Sequence, residues 1–340
     1  MTHFARLHPL ARRSFTIGLL PIALVIIGLY FVISIPLGFF LEVNRKNPTR
    51  HTRLALMLFW YLLLELLGVL IALILWFGTF FGYKMNSDRS QYVHASVQYF
   101  WVISVLRGAT FFLRTRVRFP KSIPLPNGPY VIAAQHSSFF DALIPTILVG
   151  KYCKNVIPRH VLKSELLLSP SLDIYGNRLP NQFVSRESGN AEQEIAGIKS
   201  LAKDLASNAL IIFPEGTFYT EHRFKRIIER IAETDSGRAD RVRGLKNLLP
   251  IKPGGITAML TASPESGLYL VAHRGFEPFG SFKQILANIP FDNPVEIFVK
   301  FVPSIKIPRE KKALLEFIDC EWLALDTWLE SKVMSDANSS

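Results

Sequence analysis

The sequence predicts an α/β fold in which helices flank a mixed sheet, preceded by a hydrophobic N-terminal membrane hairpin. Two uncharged or nearly uncharged apolar runs, residues 15–41 and 54–83, predict the two helices of the hairpin. Beyond them, short β-branched runs alternate with segments of helical periodicity, which is the pattern of a sheet covered by helices.

We divide the chain into four segments on this basis. Residues 1–83 form the membrane hairpin, and residues 84–120 form an interfacial helix and a connector. Residues 121–330 form the main folded domain, and the polar tail 331–340 is predicted to be disordered.

Composition narrows the classes of partner. The chain has 340 residues and a net charge of +12, which favours an anionic partner: nucleic acid, an anionic bilayer, phosphorylated substrates or an acidic carrier protein. The amount of lipid-compatible sequence argues against nucleic acid. Cys153 and Cys320 lie far apart without metal or redox spacing, so neither a disulfide framework nor a zinc site is predicted.

The apolar runs carry the membrane prediction. Residues 15–41 would reach ~40 Å as a helix, more than the ~30 Å hydrocarbon core requires, with bends at Pro21 or Pro36. The second run contains Glu65, which is costly in lipid. We therefore expect Glu65 to face the partner helix, water or a headgroup, unless the hairpin enters only one leaflet.

Two spans return the chain to its starting side. Cations flank both ends of the hairpin and its tip, so charge decides the orientation poorly. We expect the N-terminus and the main domain to face the cytoplasm, and reporter fusions at the connector 44–53 test this. Residues 91–113 are aromatic-rich and contain Arg107, so they predict an interfacial helix rather than a third span.

The main domain contains short strands and longer helices. The predicted strands are 114–118, 130–134, 209–213, 268–272 and 295–301, and the predicted helices are 142–149 and 189–207.

His136 and Asp141 stand where the strand 130–134 gives way to a helix. Five residues apart on one helix, their side chains would diverge by ~140°, so they meet only if His136 lies in the turn and Asp141 begins the helix. Asp141 would then fix one imidazole nitrogen and leave the other to take a proton from a substrate hydroxyl. Alternatively, Ser138 to Asp141 is only a capping box and the histidine is structural.

A second polar group follows the strand 209–213. Glu215, Gly216 and Thr217 place a carboxylate, an accessible backbone and a hydroxyl at a strand end, where α/β sheets bind ligands. The alternative is an ordinary turn with a solvated glutamate. Arg186 closes another short apolar strand, where its guanidinium could grip a phosphate through two parallel hydrogen bonds or form a surface ion pair.

Together these stretches resemble the glycerolipid acyltransferases, of which lysophosphatidate acyltransferase is the best-known member. The resemblance covers about residues 130–272. Its motifs are matched by His136 and Asp141; by Lys163, Glu165, Leu166, Pro170, Gly176 and Arg186; and by Phe213-Pro-Glu-Gly-Thr217.

Two positions depart from the family pattern. Gln135 stands where many members have asparagine, and Phe218 stands where many have arginine. The latter removes an expected phosphate contact, for which Arg223, Lys225 or Arg226 are substitutes. The fourth motif of the family is expected at residues 268–273.

The resemblance implies an enzyme of phospholipid biosynthesis, a membrane-bound O-acyltransferase. It would move an acyl group from acyl-CoA or acyl carrier protein to a lysophospholipid, first of all 1-acylglycerol-3-phosphate, giving phosphatidate. His136 would be the base, oriented by Asp141, with amides near Gly216 stabilising the oxyanion. The acceptor would be bound by Lys163, Arg186, Glu215, Gly216 and Thr217. No metal or other cofactor is expected beyond the acyl donor as co-substrate.

Other functions stay open at this level. One is a remodelling acyltransferase or transacylase for another headgroup; another is a catalytically inactive membrane adaptor. The basic run 222–230, followed by Arg238, Arg241, Arg243 and Lys246, is either a surface for an anionic membrane or acidic carrier, or a solvated helix face.

Overall fold

The computed structural model describes residues 7–42, 49–124, 128–138, 140–184, 191–203 and 205–337. The chain forms two compact units that interleave along the sequence. The first unit comprises Met1–Val117, Thr146–Gly189 and Ser281–Pro294, and the second comprises Arg118–Pro145, Asn190–Gly280 and Val295–Ser340. Each unit thus combines segments that are distant along the chain, and the division into four segments stays a prediction.

The predicted apolar helices are present in the first unit. They are α1 (Pro9–Glu42), α2 (Arg50–Gly78) and α3 (Asp88–Leu113). Among the described residues these three are long and apolar enough to cross a membrane. Half of the most apolar window of α3 is buried, against 22% for α2, and Arg107 is exposed.

The remaining elements are helices and strands. In chain order they are β1 (Val117–Arg118), β2 (Tyr130–Ala134), α4 (Ile144–Tyr152), β3 (Pro158–Lys163), α5 (Pro170–Arg178), β4 (Gln182–Val184), α6 (Ala191–Ala202), β5 (Ala209–Ile212), α7 (Glu221–Thr234), α8 (Ser236–Val242), α9 (Pro253–Ala262), β6 (Gly267–Arg274), α10 (Phe282–Asn288), β7 (Val295–Val302) and α11 (Lys311–Ala337).

Glu65 of α2 caps helix α5 within the first unit. Its side chain is 1% exposed, and it accepts hydrogen bonds from Ser169 Oγ at 2.6 Å and from the amide of Ser171 at 2.9 Å. The helices approach closely here, since a Cβ on Gly68 would lie 2.3 Å from Ser171 Oγ. The partner of Glu65 is therefore the amino end of α5, and not the neighbouring span, water or headgroup expected from the sequence.

The first turns of α1 also bind α5. Arg12 is 4% exposed and its Nε lies 2.6 Å from Asp173 Oδ2, while Arg13 reaches Asp173 Oδ1 at 3.2 Å. Since Asp173 is fully buried, both guanidiniums balance a charge that has no access to water. Both helices of the hairpin thus make polar, directional contacts with α5.

The sheet of the second unit is mixed, as predicted. β2 is central and runs parallel to β5 and to β6, and β6 runs antiparallel to β7. All five residues of β2 are buried, which explains its uninterrupted apolar sequence.

Helices flank this sheet. α9 packs against α6 and against β2 and β5, and α11 packs against β6. Trp322 of α11 is 1% exposed and donates to the carbonyl of Leu249. α11 continues to Ala337, so residues 331–337 of the predicted disordered tail are helical, while residues 338–340 lie outside the described residues.

Candidate active site

His136 and Asp141 meet at the end of β2. Gln135 extends the strand by donating its amide to the carbonyl of Val271, and the chain then turns. Asp141 begins a short 3-10 turn, Asp141–Leu143, and its Oδ1 lies 3.0 Å from His136 Nδ1. This is the arrangement that the sequence predicts for a histidine base and its orienting carboxylate.

The capping box is present as well. Ser138 Oγ accepts from the amide of Asp141 at 3.1 Å, and Asp141 Oδ2 accepts from the amide of Ser138 at 2.7 Å. The amide of Ser137 also donates to Oδ2. The two interpretations of this stretch are therefore compatible, because one carboxylate oxygen caps the turn while the other holds the imidazole.

Asp141 is an anion at neutral pH. Burial, the largest effect on it, would raise its pKa, but hydrogen bonds and charge interactions with His136 and His273 outweigh burial and lower the pKa of Asp141 to about 2. An anionic Asp141 requires a proton on His136 Nδ1, so the lone pair of the neutral imidazole is on Nε2. That tautomer suits a general base.

Two phenylalanines enclose the imidazole. The ring centroid of Phe218 lies 4.5 Å from that of His136 in an edge-on contact, and Phe213 lies at 4.9 Å. Phe218, which stands where an arginine was expected, therefore forms an apolar wall beside His136. His136 itself is 9% exposed.

Glu215 ties two segments of the site together. Its Oε1 accepts from the amide of His136 at 2.8 Å and its Oε2 from the amide of Leu249 at 2.9 Å. The residue is 1% exposed, and burial raises its pKa to about 8 although the two amides oppose the shift. With both oxygens engaged internally, Glu215 shapes the site, which differs from the acceptor contact expected from the resemblance.

Gly216 has a left-handed backbone, with φ at +67°, and its amide donates to the carbonyl of Phe213. That amide is thus committed to the turn and does not fit the oxyanion role expected of it. Thr217 is half-buried, and neither its amide nor its hydroxyl bonds to another residue in the described part of the chain. Thr217 is therefore the better source of a donor.

Two cations border the same turn. A Cβ on Gly216 would lie 3.1 Å from Lys252 Nζ, which places this ammonium against the glycine. Arg223 Nη1 donates to the carbonyl of Phe218 at 3.1 Å, whereas Lys225 pairs with Glu221. Of the three substitutes predicted for the missing arginine, Arg223 is the one shown to contact residue 218. The sequence did not single out Lys252.

The other two predicted acceptor contacts are Lys163 and Arg186. Lys163 ends β3 and is half-buried. Arg186 lies outside the described residues.

His273 is a site residue that the sequence did not single out. It lies in β6, within the predicted location of the fourth motif, and its Nε2 lies 3.2 Å from Asp141 Oδ2. The carboxylate of Asp141 therefore holds two imidazoles.

The cations beyond α7 have carboxylate partners. Arg238 forms a buried pair with Asp319, and Arg241 reaches Glu316 and Asp319, which favours a role within the fold for these two arginines. Arg243 pairs with Asp240 and Lys246 with Glu330 on the exposed surface.

Comparison with known proteins identifies the segment that holds the motifs. The family model described as Acyltransferase matches residues 114–273. Among solved structures, the chain is similar to the 1-acyl-sn-glycerophosphate (LPA) acyltransferase PlsC from Thermotoga maritima, with 16% identity and a TM-score of 0.44 over 79% of this chain and 95% of that chain. No curated protein matches the chain significantly.

The family match runs through all three predicted motifs and ends at His273. Residues 114–273 thus match the acyltransferase family, in keeping with the resemblance that the motifs carry.

Proposed function

We propose that this protein is a membrane-bound acyltransferase that transfers a fatty acyl group from acyl-CoA or acyl carrier protein to the free hydroxyl of a lysophospholipid. The preferred acceptor is 1-acylglycerol-3-phosphate and the product phosphatidate. The observation that carries the proposal is the His136–Asp141 pair, 3.0 Å apart, inside the segment that matches the acyltransferase family.

The reaction needs a base and no enzyme nucleophile. His136 Nε2 takes the proton of the acceptor hydroxyl as its oxygen bonds to the thioester carbonyl carbon. The tetrahedral oxyanion is stabilised by a donor such as the Thr217 amide. When the intermediate collapses, the carbon–sulfur bond breaks and the thiolate receives the proton from the imidazolium. The chain has no Gly-x-Ser-x-Gly elbow, in keeping with direct attack by the acceptor.

The preference for a phosphorylated acceptor is supported by the cations beside the third motif. Arg223 and Lys252 border residues 216–218 and carry charge of the sign that a phosphate monoester requires. The family resemblance adds Lys163 and Arg186 to the acceptor site. The acyl donor is the only co-substrate proposed, without metal or other cofactor.

The first test is release of free CoA from acyl-CoA by the detergent-purified protein supplied with lysophosphatidate. We expect wild type to form phosphatidate, identified by mass spectrometry, and His136→Ala to lose roughly 100- to 10,000-fold in rate because the base is gone.

If wild type is inactive with acyl-CoA, acyl carrier protein is tested as the donor and other lysolipids as acceptors. Transfer to a different headgroup would replace the proposed acceptor. A protein inactive with every donor and acceptor would contradict the proposal in favour of a membrane adaptor.

The second test concerns the phosphate. Arg223→Ala and Lys252→Ala should each lower kcat/KM for lysophosphatidate roughly 10- to 100-fold, mainly through KM, because each removes a charged hydrogen-bond partner. Lys225→Ala is the matched control, since Lys225 lies on the same helix and pairs with Glu221. Equal effects of all three variants would show a general influence of charge and sink the specific contact.

We further propose that the catalytic domain faces the cytoplasm. The proposal rests on the predicted hairpin of two spans, which would return the chain to its starting side; by length and composition, three helices of the described residues could cross a membrane. A reporter at the connector 44–53 that reads cytoplasmic would overturn it.

A further inference from the structure

His273 is buried next to the catalytic pair. Its side chain is 2% exposed, its Nε2 lies 3.2 Å from Asp141 Oδ2, and its ring packs edge-on against Phe276 at 5.1 Å between centroids. Nothing in the mechanism proposed above uses it.

Gln135 fixes the backbone that carries His273. Its Oε1 accepts from the amide of His273 at 3.0 Å, while its own amide donates to Val271. Glutamine is one methylene longer than the asparagine found here in many relatives, so it reaches farther towards β6. Gln135 and His273 are therefore parts of one hydrogen-bonded arrangement.

The hydrogen bonds define the state of His273. Asp141 is anionic and accepts at Oδ2, so His273 Nε2 carries the proton. His273 Nδ1 is buried and has no partner in the described part of the chain. His273 therefore donates to Asp141 from Nε2, and this is the contact through which its side chain acts.

We propose that His273 is a second positioning residue for acyl transfer, which rests on the proposed function. By donating to Asp141 Oδ2 it holds the carboxylate in the plane that serves His136 and withdraws part of the negative charge that His136 feels. Asp141 is then hydrogen-bonded to both His136 and His273, and of these two histidines only His136 contacts the substrate.

Among the described residues, Asp141 interacts electrostatically with His136 and His273, and Glu215 interacts with Asp141. On the adjacent strand the residue opposite His273 is Ile297, which is apolar. A change at His273 is therefore transmitted chiefly through Asp141.

The test compares His273→Phe, which removes the donor, with His273→Gln, whose amide can still donate. We expect His273→Phe to lower kcat roughly 10- to 100-fold with little change in the acceptor KM, because the base is misplaced. The acid limb of its pH–rate profile should move to higher pH by about one unit, because an unshared Asp141 holds the proton of His136 more tightly. His273→Gln should restore most of both.

A packing control separates this role from mere stability. Phe276→Leu disturbs the same pocket but keeps the Nε2–H of His273, so it should lower Tm and leave the pH profile in place. If His273→Phe behaves like Phe276→Leu, His273 is only structural and the proposal is overturned.

A readout without substrate keeps the two proposals distinguishable. The titration midpoint of His136 is followed by NMR of the full chain, labelled with carbon-13 histidine, in detergent. A midpoint raised in His273→Phe supports the coupling even if no acyl transfer is found, in which case only the proposed function fails. An unmoved midpoint overturns the coupling whatever the activity.

Discussion

At the scale of single residues, Glu215 shows how the third motif acts. The two oxygens of this carboxylate are held by the amides of His136 and Leu249, in a position that is 1% exposed. Because one of those amides belongs to His136, the proposed base, Glu215 sets where the backbone of His136 lies. In the proposed reaction the contribution of Glu215 is then indirect, through position.

Glu215→Ala should destabilise the fold. The variant removes both oxygens, so the buried amides of His136 and Leu249 lose their acceptor, at a cost of about 1–3 kcal/mol each. Tm in detergent measures the loss, and Glu229→Ala on the exposed face of α7 is the control.

The same residue predicts a pH dependence of stability. Because folding raises the pKa of Glu215 from 4.5 to about 8, it takes up a proton on folding. The stability it contributes is fully present below about pH 4.5 and is lost as pH rises through about 8. The fall of Tm between those limits should be shallower in Glu215→Gln; identical slopes would show that Glu215 does not titrate in this range.

At the scale of elements, two carboxylates bind the backbone of the irregular segment between α8 and α9. Asp326 of α11 accepts the amides of Lys246, Asn247 and Leu248, and Glu215 accepts the next one. This run leads to Lys252 and to α9. The ammonium beside Gly216 is thus positioned by a backbone that two buried acids fix.

The contact between α2 and α5 predicts whether replacing Glu65 raises or lowers the stability of the protein. If Glu65 faced lipid, Glu65→Leu would stabilise the protein by removing a costly charge. Since Glu65 instead receives Ser169 and the amide of Ser171, we expect Glu65→Leu to lower Tm, because it leaves buried donors unpaired.

The matched control for Glu65→Leu is Leu67→Ala, because Leu67 lies on the exposed side of α2, 40% accessible. It should change Tm little. A Tm that rises in Glu65→Leu would reject the capping role of this carboxylate.

At the scale of the whole molecule, local pattern predicted most elements and few of their partners. β2 matches its predicted bounds and β5, β6 and β7 lie within two residues of theirs, because alternation and apolar runs are local signals. The alternating cations at residues 114–118 predicted a strand that is longer than the one observed. Arg114 instead ends α3 with φ at +61°, and only Val117–Arg118 is a strand.

The site shows the same division. The His136–Asp141 contact spans one turn and was predictable from spacing. His273, Lys252 and the role of Glu215 depend on which strands and loops become neighbours, as when β2 pairs with β6. Sequence separation hides such neighbours, so only the fold revealed them.

The polar contacts of α5 also bear on how this protein could be shortened. Asp173 is fully buried and forms ion pairs with Arg12 and Arg13, and Glu65 accepts a hydrogen bond from the first turn of α5. All three partners lie in the hydrophobic hairpin. The hairpin is therefore part of the fold and not a removable anchor. A water-soluble version that begins after the hairpin would leave the buried Asp173 without its ion-pair partners. It would also expose α5, the helix that follows Lys163 within the second motif.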